Sequence, residues 1–478
     1  MAILRPQSKI MSGSKGMNRY IDLIQQTFDF PTQEFTVDDG QLKFHGVSLM
    51  DVIKTYGTPL RLTYLPKISQ NIELITGCFQ EVLKKNNYLG SYTYCYCTKS
   101  SHFSFVMEEV LKTGAQLETS SAFDISIIRN LCHHNKINKD LLVICNGFKR
   151  PLYLKYIVEL IKDGFDNCIP ILDNLKEADY YESQLDKPYT VGMRMAADEE
   201  PKFEFYTSRL GIRYRDAIDY YRQKIEPGKA RLKVLHYFIN TGIRDTAYYW
   251  SELSRFMYKY CELKKICPDL DTIDIGGGFP IKTSLSFNYD YQYMIEQVVE
   301  NIQWICGKNH VPVPHIITEF GSYTVGESGA MIYSILDQKL QNEKELWYMI
   351  DGSFINNLPD TWGIGSKFIL LPINNWQSGF QKISLGGLTC DSMDYYNSEI
   401  HSSEVFLPKM DNGSPLYVGM FHTGAYQESL SGFGGIQHCL IPAPQHVIID
   451  RDENGTVQSK LFAEEQKSAD MLRLLGYD

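Results

Sequence analysis

The chain has 478 residues, of which 44% are hydrophobic, so it is long enough for roughly two or three domains with a large core. Its net charge of -10 and the lack of a dense Lys/Arg run argue against a nucleic-acid or anionic-membrane partner, and they suit a cationic small substrate. No apolar run approaches a membrane span, and no export signal begins the chain. Eleven scattered cysteines predict reduced thiols in the cytoplasm.

The N-terminal part of the chain divides into two segments. Residues 1–16 are polar and rich in Ser, Gly and Lys, which predicts a disordered leader or an expression remnant. Residues 17–60 contain an extended stretch over 35–47, with a hairpin signal at Asp38-Asp39-Gly40. We expect residues 17–60 to pair with a second domain encoded near the C-terminus.

Short apolar runs alternate with amphipathic stretches between residues 61 and 325, which is typical of repeated strand-helix units around a parallel sheet. The eight predicted strands are 92–99, 115–121, 141–147, 168–174, 189–195, 231–239, 271–278 and 315–321. Helical spacing of apolar residues predicts helices that include 103–112, 152–162, 247–265 and 291–306. Eight such units favour a closed (β/α)8 barrel over an open doubly wound sheet.

The pattern changes after residue 325 to strands without intervening helices. Strands are predicted over 346–350, 367–373, 382–390, 415–421, 447–450 and 457–462. Residues 326–478 therefore predict a C-terminal β-domain.

The first barrel strand ends on a lysine. Period-two alternation places Cys95, Cys97 and Lys99 on one face and Tyr94 and Tyr96 on the other. An inward-pointing lysine loses hydration, so we expect its pKa to be lowered and its amine to be free to form a Schiff base, as in pyridoxal phosphate sites. The alternative is a lysine that reaches water at the strand end.

Other candidate groups follow the remaining strands, at the end of a (β/α)8 barrel where catalytic residues lie. Glycines after strands seven and eight would let backbone N–H groups approach a phosphate, although a tight turn would use them too. The candidates are Glu118, Asn146, Arg194, Gly276, Gly277, Gly278, Glu319 and Gly321. Two Cys-His runs, 132–134 and 438–439, have no partner at zinc-site spacing, so we predict structural roles for them.

Several segments resemble one enzyme family, the pyridoxal-phosphate-dependent basic amino acid decarboxylases of the alanine racemase-like barrel fold. Segments shared with the broad family are 273–280 (IDIGGGFP), 319–321 (EFG), 390–392 (CDS) and 424–426 (GAY). Segments that look like its biosynthetic arginine decarboxylase branch are 145–149 (CNGFK), 243–246 (IRDT), 358–364 (LPDTWGI) and 424–430 (GAYQESL). The resemblance extends from about residue 60 to about residue 440.

The resemblance implies the cofactor pyridoxal 5'-phosphate and a role for each matching residue. Lys99 would form the Schiff base, and Glu319 would lie beside the pyridine nitrogen and keep it protonated. Further cofactor-binding residues would be Glu118, Phe238, Thr241, Gly276, Gly277, Gly278, Gly321, Ser322 and Tyr426.

The resemblance also implies a homodimer whose active sites are shared across the interface. Cys390 of one subunit would return a proton to the substrate Cα, and Asp391 would meet the distal cation of the substrate. Forked guanidinium donors are complemented by buried carboxylates, and Asp360 is a second candidate for this contact. Asp394 and Glu428 are further acidic candidates, and each of these three carboxylates could equally be a solvated turn residue.

Three positions depart from the family pattern. Phe238 stands where the family usually stacks a histidine on the cofactor ring, and phenylalanine can still stack. Ser322 replaces the usual arginine, which removes a cation from the phosphate site, and Ser101 replaces an asparagine. These changes bear on the rate and the substrate more than on cofactor binding.

The expected activity is decarboxylation of L-arginine to agmatine, a step of polyamine biosynthesis. The alternatives are decarboxylation of diaminopimelate, lysine, ornithine, citrulline or carboxynorspermidine, a non-catalytic look-alike with a regulatory role, and an amino-acid racemase. Retention of Lys99, Glu319, Cys390 and Asp391 opposes the look-alike, and Phe238 and Ser322 favour it.

Overall fold

The computed structural model describes residues 30–197, 208–410 and 413–477. The predicted leader, residues 1–16, lies outside these ranges. Across the described residues, no helix combines the length and the apolar character needed to span a bilayer.

A closed barrel of eight parallel strands forms the larger part of the molecule. Its strands are Tyr92–Cys97, Gln116–Thr119, Val143–Cys145, Cys168–Leu172, Tyr189–Ala196, Ala230–His236, Thr272–Asp274 and His315–Phe320. Each strand pairs with the next, and the last returns to the first through the register Glu319 to Cys95. The predicted (β/α)8 barrel is confirmed, because the closed order excludes an open sheet.

Helices surround the barrel and alternate with its strands. They are Pro66–Lys85, Ser104–Lys112, Ala122–His133, Pro151–Lys162, Glu177–Gln184, Ala217–Tyr220, Ala247–Lys264 and Tyr291–Asn309. The start of Ala122–His133 shows why a helix begins where it does: Ser121 accepts from the N–H of Asp124, and Asp124 accepts from the N–H of Ser121.

Alternation along the first strand separates two packing layers. Tyr94 and Tyr96 point outwards and pack in the large apolar layer between the strands and the helices. Cys95 points inwards and packs with Ile144 and Ile317 in a small central cluster. The barrel is therefore filled by side chains, as (β/α)8 barrels generally are.

The first strand is shorter than predicted. It ends at Cys97, and Lys99 lies in a 3₁₀ turn over Thr98–Ser100. Thr98 donates its hydroxyl to the carbonyl of Glu118, and Ser100 donates to the carbonyl of Cys97, so side chains replace strand hydrogen bonds at this point.

A second sheet forms the β-domain. Its strands are Leu60–Tyr64, Gly329–Gln341, Glu345–Ile350, Ile369–Pro372, Phe380–Gly386, Tyr395–Tyr396, Val405–Pro408, Tyr417–Phe421, Gln445–Arg451 and Val457–Ala463. Short helices here are Phe354–Asn357, Asp360–Gly363, Gln427–Ser431 and Ser468–Leu474.

The strand Gly329–Gln341 was not predicted, because its apolar half is buried and lacks alternation. Leu60–Tyr64 pairs with two of these strands, so residues 61–64, which we predicted in the barrel, lie in this sheet.

The N-terminal segment forms a small sheet that packs on the β-domain. The strands Phe35–Asp38, Gln41–Phe44 and Val47–Ser48 pair in order, with the predicted turn at Asp39-Gly40, and the helix Leu49–Tyr56 follows. The rings of Phe35 and Phe421 lie 4.9 Å apart in a shared apolar core.

Buried charges join this N-terminal sheet to the β-domain and the barrel. Both ring nitrogens of His422 donate, Nδ1 to the carbonyl of Lys282 and Nε2 to Glu34 at 2.5 Å, so His422 is a cation. Lys282 Nζ lies 3.4 Å from Glu34, and Glu327 lies nearby. Burial opposes both charges, but their mutual attraction is larger, so the pKa of His422 is raised and the pKa of Glu34 is lowered.

We expect Glu34→Gln to lower the free energy of unfolding by about 3 kcal/mol, because it removes the carboxylate to which His422 donates and leaves only Glu327, among the described residues, beside the buried cations. The loss should be largest between pH 4.5 and 6.5, the ordinary pKa values of the two partners. When the pH rises above this window and passes the raised pKa of His422, the imidazole loses its charge and its contribution to stability is lost. When the pH falls below the window and passes the lowered pKa of Glu34, the carboxylate is protonated and its contribution is lost.

Urea unfolding at several pH values measures this loss. Asp38→Asn, which removes an exposed pair with Lys43, is the control. An equal loss in both variants, or a loss independent of pH, would contradict the prediction.

Candidate active site

Eight polar side chains line the inner wall of the barrel where the strands end. We call them the polar ring: Cys97, Glu118, Asn146, Asp173, Arg194, His236, Asp274 and Glu319. They occupy inward positions one step beyond the apolar central cluster, because side chains alternate along each strand. The C-terminal mouth of the barrel is therefore polar and rich in carboxylates.

Lys99 lies at this mouth and is paired with the ring. Its Nζ donates to Glu118 Oε2 at 2.8 Å and lies 3.5 Å from Ser120, and 42% of the side chain is exposed. Burial lowers the pKa of Lys99, but Cys97 and Glu118 outweigh it and hold the pKa well above its ordinary value. The predicted low pKa is therefore wrong for this structure, because the sequence did not show the carboxylate across the turn.

Glu118 is the anionic partner in this pair. Burial would raise its pKa, but Lys99 and the donating Ser120 hydroxyl hold the pKa of Glu118 below its ordinary value. The result is a buried carboxylate that fixes the position of the lysine amine.

Glu319 has the opposite character. Burial and the neighbouring carboxyl of Asp274 raise the pKa of Glu319 well above its ordinary value. Asn146 Nδ2 donates to Glu319 Oε1 at 2.7 Å. Burial likewise raises the pKa of Asp274 to about 7, while its Oδ1 accepts from the N–H of Gly276.

His236 belongs to the same group and was missed in the sequence. Its Nδ1 lies 3.4 Å from Asp274 Oδ2, and burial lowers the pKa of His236 to about 4, so the ring is neutral. The available signal was its inward position in the strand Ala230–His236, in register with Asp274. The same alternation in the IDIGGG segment could have predicted that Asp274 points into the barrel.

Glycine turns after strands six and seven close on each other. Gly276 and Gly278 have positive φ of 68° and 118°, and Gly242 has 79°. A Cβ on Gly278 would lie 2.8 Å from the Cα of Gly242, and one on Gly277 would lie 2.1 Å from the carbonyl of Glu319. No larger residue fits this turn, which brings backbone groups to one side of the mouth.

Unpaired polar atoms point to a ligand beside this turn. Thr241 Oγ1 and both side-chain polar atoms of Asn240 are buried without a hydrogen-bond partner among the described residues. Phe238 is 41% exposed, and its ring lies 3.4 Å from the place a Cβ would occupy on Gly276. The Phe238 ring and the unpaired polar atoms of Asn240 and Thr241 therefore lie in the segment for which the sequence predicts cofactor binding.

The β-domain contributes to the other side of the mouth. The N–H of Tyr426 donates to the carbonyl of Ser100 at 2.8 Å, and its backbone has a φ of +67°. Burial raises the pKa of Tyr426 to about 12, and Ser322 hydrogen-bonds its side chain. Gly321 lies against Ser100 and Cys97, with only 3.1 Å available to a Cβ.

The acidic candidates of the β-domain lie apart from the ring of their own chain. Cys390 and Asp391 are exposed, and within the described ranges neither makes a hydrogen bond or ion pair to the polar ring. Asp360 accepts from Gln427 Nε2 at 2.7 Å. Asp394 accepts three backbone N–H groups, and Glu428 pairs with buried Arg61, so both are structural.

A family match covers more than half of the chain. Residues 78–326 match the family described as pyridoxal-dependent decarboxylase, pyridoxal binding domain. The chain belongs to this family. This decarboxylase is accordingly a pyridoxal-phosphate-dependent carboxy-lyase, and the match extends from the helix before the first barrel strand to the turn after the last.

Full-length relatives extend the similarity to the β-domain. A biosynthetic arginine decarboxylase of Prochlorococcus marinus (strain AS9601) is 22% identical over 88% of this chain and 82% of its own length. The crystal structure of a biosynthetic arginine decarboxylase from Campylobacter jejuni superposes with a TM-score of 0.79 at 19% identity, covering 96% of this chain and 91% of that one. A diaminopimelate decarboxylase structure from M. jannaschii has a TM-score of 0.77 at 16% identity, covering 92% and 97%.

The mouth of this decarboxylase fits its cofactor. The closed glycine turns leave room for a phosphate against backbone N–H groups, and buried Thr241 and Asn240 have polar atoms to satisfy. Glu319 places a buried carboxyl group on the wall of the mouth, and Lys99 places an amine there.

We expect Glu118→Gln to lower the pKa of Lys99 in this decarboxylase, because it removes the carboxylate 2.8 Å from Nζ. At a pH below the pKa of Lys99, each unit by which that pKa falls makes the neutral fraction of the amine about tenfold larger. The apo-protein of the variant should therefore attach pyridoxal phosphate faster than the wild type at pH 7 to 8. Stopped-flow absorbance across pH measures the rate.

Glu109→Gln is the control, because Glu109 is also buried but bonds Ser69 and Lys112. An unchanged pH dependence in Glu118→Gln would show that Glu118 does not set the charge of Lys99.

Proposed function

We propose that this decarboxylase acts on L-arginine and releases agmatine and carbon dioxide. The relative that matches 88% of the chain is named for arginine, and four segments of the sequence resemble that branch. The observation that carries the proposal is the barrel mouth, where the Lys99 amine, the buried Glu319 carboxyl group and the glycine turns meet.

The family resemblance and the geometry of the mouth both support the proposed cofactor contacts. Lys99 attaches the cofactor covalently, and Glu118 positions its amine. The phosphate is held by backbone N–H groups of Gly276, Gly277, Gly278 and Gly321 and by the side chains of Thr241, Ser322 and Tyr426. Phe238 packs on the face of the ring through dispersion rather than through an imidazole.

Glu319 is the residue proposed to hold the ring nitrogen of the cofactor. Pyridoxal phosphate, when bound, accepts the electron pair left at Cα as the carboxylate departs. Glu319 would lie beside the ring nitrogen, and its carboxylate would keep that nitrogen protonated by accepting a hydrogen bond from it. Burial and Asp274 make the ionised form of Glu319 costly, and a protonated ring nitrogen would offset that cost.

We further infer a homodimer with shared active sites. Cys390 and Asp391 are exposed and lie apart from the polar ring of their own chain, so a second subunit is required to bring them to a mouth. There the Cys390 thiol returns a proton to Cα, and Asp391 and Asp360 meet the guanidinium. The eleven free thiols support a cytoplasmic location.

A substrate panel tests the activity. We expect carbon dioxide and agmatine from arginine, with much lower rates for lysine, ornithine, diaminopimelate, citrulline and carboxynorspermidine. Asp391→Asn should raise KM for arginine by about tenfold or more, through loss of a charge-assisted contact. Labelled carbon dioxide and mass spectrometry of the products provide the measurement.

Lys99→Ala is the matched control and should be colourless and inactive. A wild-type protein that stays colourless with added cofactor would favour the regulatory look-alike. Inversion at Cα without carbon dioxide would favour a racemase.

Subunit mixing tests the shared site. Lys99→Ala and Cys390→Ala dimers are each expected to be nearly inactive, and a mixed dimer contains one intact site. Random exchange of equal amounts should restore roughly a quarter of wild-type activity. No recovery, with exchange verified by mass spectrometry, would place Cys390 and Lys99 in one chain's site.

A further inference from the structure

Two thiols and an imidazole meet on the surface of the β-domain. Cys390 Sγ lies 3.6 Å from Cys439 Sγ, and a ring nitrogen of His438 lies within 4.8 Å of both sulfurs. All three residues are exposed. The sequence offered no partner for the run His438-Cys439, because Cys390 lies 49 positions earlier, and only the fold supplies the third group.

Buried hydrogen bonds hold the loops that carry these groups. The side chain of Asn356 receives the N–H of His438 on Oδ1 and donates through Nδ2 to the carbonyl of His438, both at 3.0 Å. The carboxylate of Asp394 accepts from the N–H and hydroxyl of Thr389, which precedes Cys390. Asp394 also accepts from the N–H of Phe354, in the helix that carries Asn356. Both loops are therefore fastened to one short helix.

The backbone at Cys439 is held in an uncommon conformation. Cys439 and Leu440 have φ of +55° and +52°, a left-handed region that non-glycine residues seldom occupy. Such a conformation is strained for a residue with a side chain and persists where the surroundings impose it. Here it accompanies the approach of the Cys439 sulfur to Cys390.

The separation of the sulfurs matches tetrahedral metal coordination. Zinc–thiolate bonds of about 2.3 Å at a tetrahedral angle place two sulfurs about 3.8 Å apart. The observed distance of 3.6 Å between the two sulfurs is close to the separation expected for zinc ligands and is much longer than a disulfide bond of about 2.05 Å. Two thiolates and one imidazole are also the donor set that zinc prefers.

We propose that Cys390, His438 and Cys439 form a binding site for one Zn²⁺, with water as the fourth ligand. Binding forms two Zn–S bonds and one Zn–N bond, and the two thiol protons pass to solvent. No electron transfer occurs, and a chelator reverses the reaction. The site lies in the β-domain, apart from the polar ring of its own chain, and in the proposed dimer Cys390 faces the mouth of the other subunit.

The site has a regulatory consequence that rests on the proposed function. Cys390 is the residue proposed to return a proton to Cα, and a zinc-bound thiolate has no proton to give. Zinc binding and turnover are therefore mutually exclusive at Cys390. The enzyme would be inhibited by a soft divalent cation and restored by its removal.

Cobalt substitution tests the site directly. The holoenzyme, reduced with a phosphine and freed of metal, is titrated with Co²⁺ and then with Zn²⁺. We expect one equivalent to give thiolate charge-transfer and tetrahedral ligand-field bands, away from the yellow cofactor, and Zn²⁺ to abolish them. Cys439→Ser and His438→Ala should each weaken Zn²⁺ binding by about tenfold or more, because each removes a ligand.

Cys132→Ser is the matched control, since Cys132 precedes His133 and His134 in the other Cys-His run, and it should bind like the wild type. Absence of thiolate–cobalt bands in the wild type, or wild-type binding by both ligand variants, overturns the proposal. So does a Cys390–Cys439 disulfide that forms in air without any metal uptake under reduction.

Activity separates this proposal from the proposed function. Saturating Zn²⁺ should lower wild-type decarboxylation at least about tenfold, while Cys439→Ser, fully active with chelator, should resist the same concentration. Inhibition that is equal in both proteins overturns the regulatory consequence. A protein that binds Zn²⁺ as expected but never releases carbon dioxide supports the site and refutes the proposed function.

Discussion

The burial of carboxylates at the mouth of the barrel is the constraint on which the rest of the site depends. Glu118 and Glu319 line the same wall, yet the pKa of Glu118 is lowered and the pKa of Glu319 is raised. Burial raises the pKa of both carboxyl groups, and the difference comes from their neighbours. Lys99 donates to Glu118 and stabilises its anionic form, whereas the neighbouring carboxyl of Asp274 disfavours the anionic form of Glu319.

The β-domain completes this mouth and is held against the barrel by charge as well as by apolar packing. The loop carrying Tyr426 contacts the turn after the first barrel strand through the hydrogen bond from Tyr426 N–H to Ser100, and Gly424 of this loop approaches Gly329 too closely for a side chain on either. The cationic His422 lies near this loop in the chain and pairs with Glu34 of the N-terminal sheet. An early segment of the chain thus stabilises the connection between the two larger units.

Short helices of the β-domain organise its functional surface. In the sequence Asp394 was either a candidate ligand for a cationic substrate or a solvated turn residue, and in the structure it is buried and connects the Cys390 loop to the helix Phe354–Asn357. Glu428 is similarly committed to Arg61. Burial therefore separates two kinds of acidic residue in the β-domain. The buried carboxylates of Asp394 and Glu428 accept hydrogen bonds from the protein itself, whereas the exposed carboxylate of Asp391 is available to a ligand.

The sequence by itself determined the eight strand-helix units, the lysine after the first strand and the glycine turn after the seventh, because alternation, helical spacing and glycine are local signals. It did not determine which groups share a proton or a metal. The high pKa of Lys99, the neutral His236 beside Asp274 and the approach of Cys439 to Cys390 depend on groups from distant segments. Charge and coordination act through space over a few ångströms, so only the tertiary structure decided them.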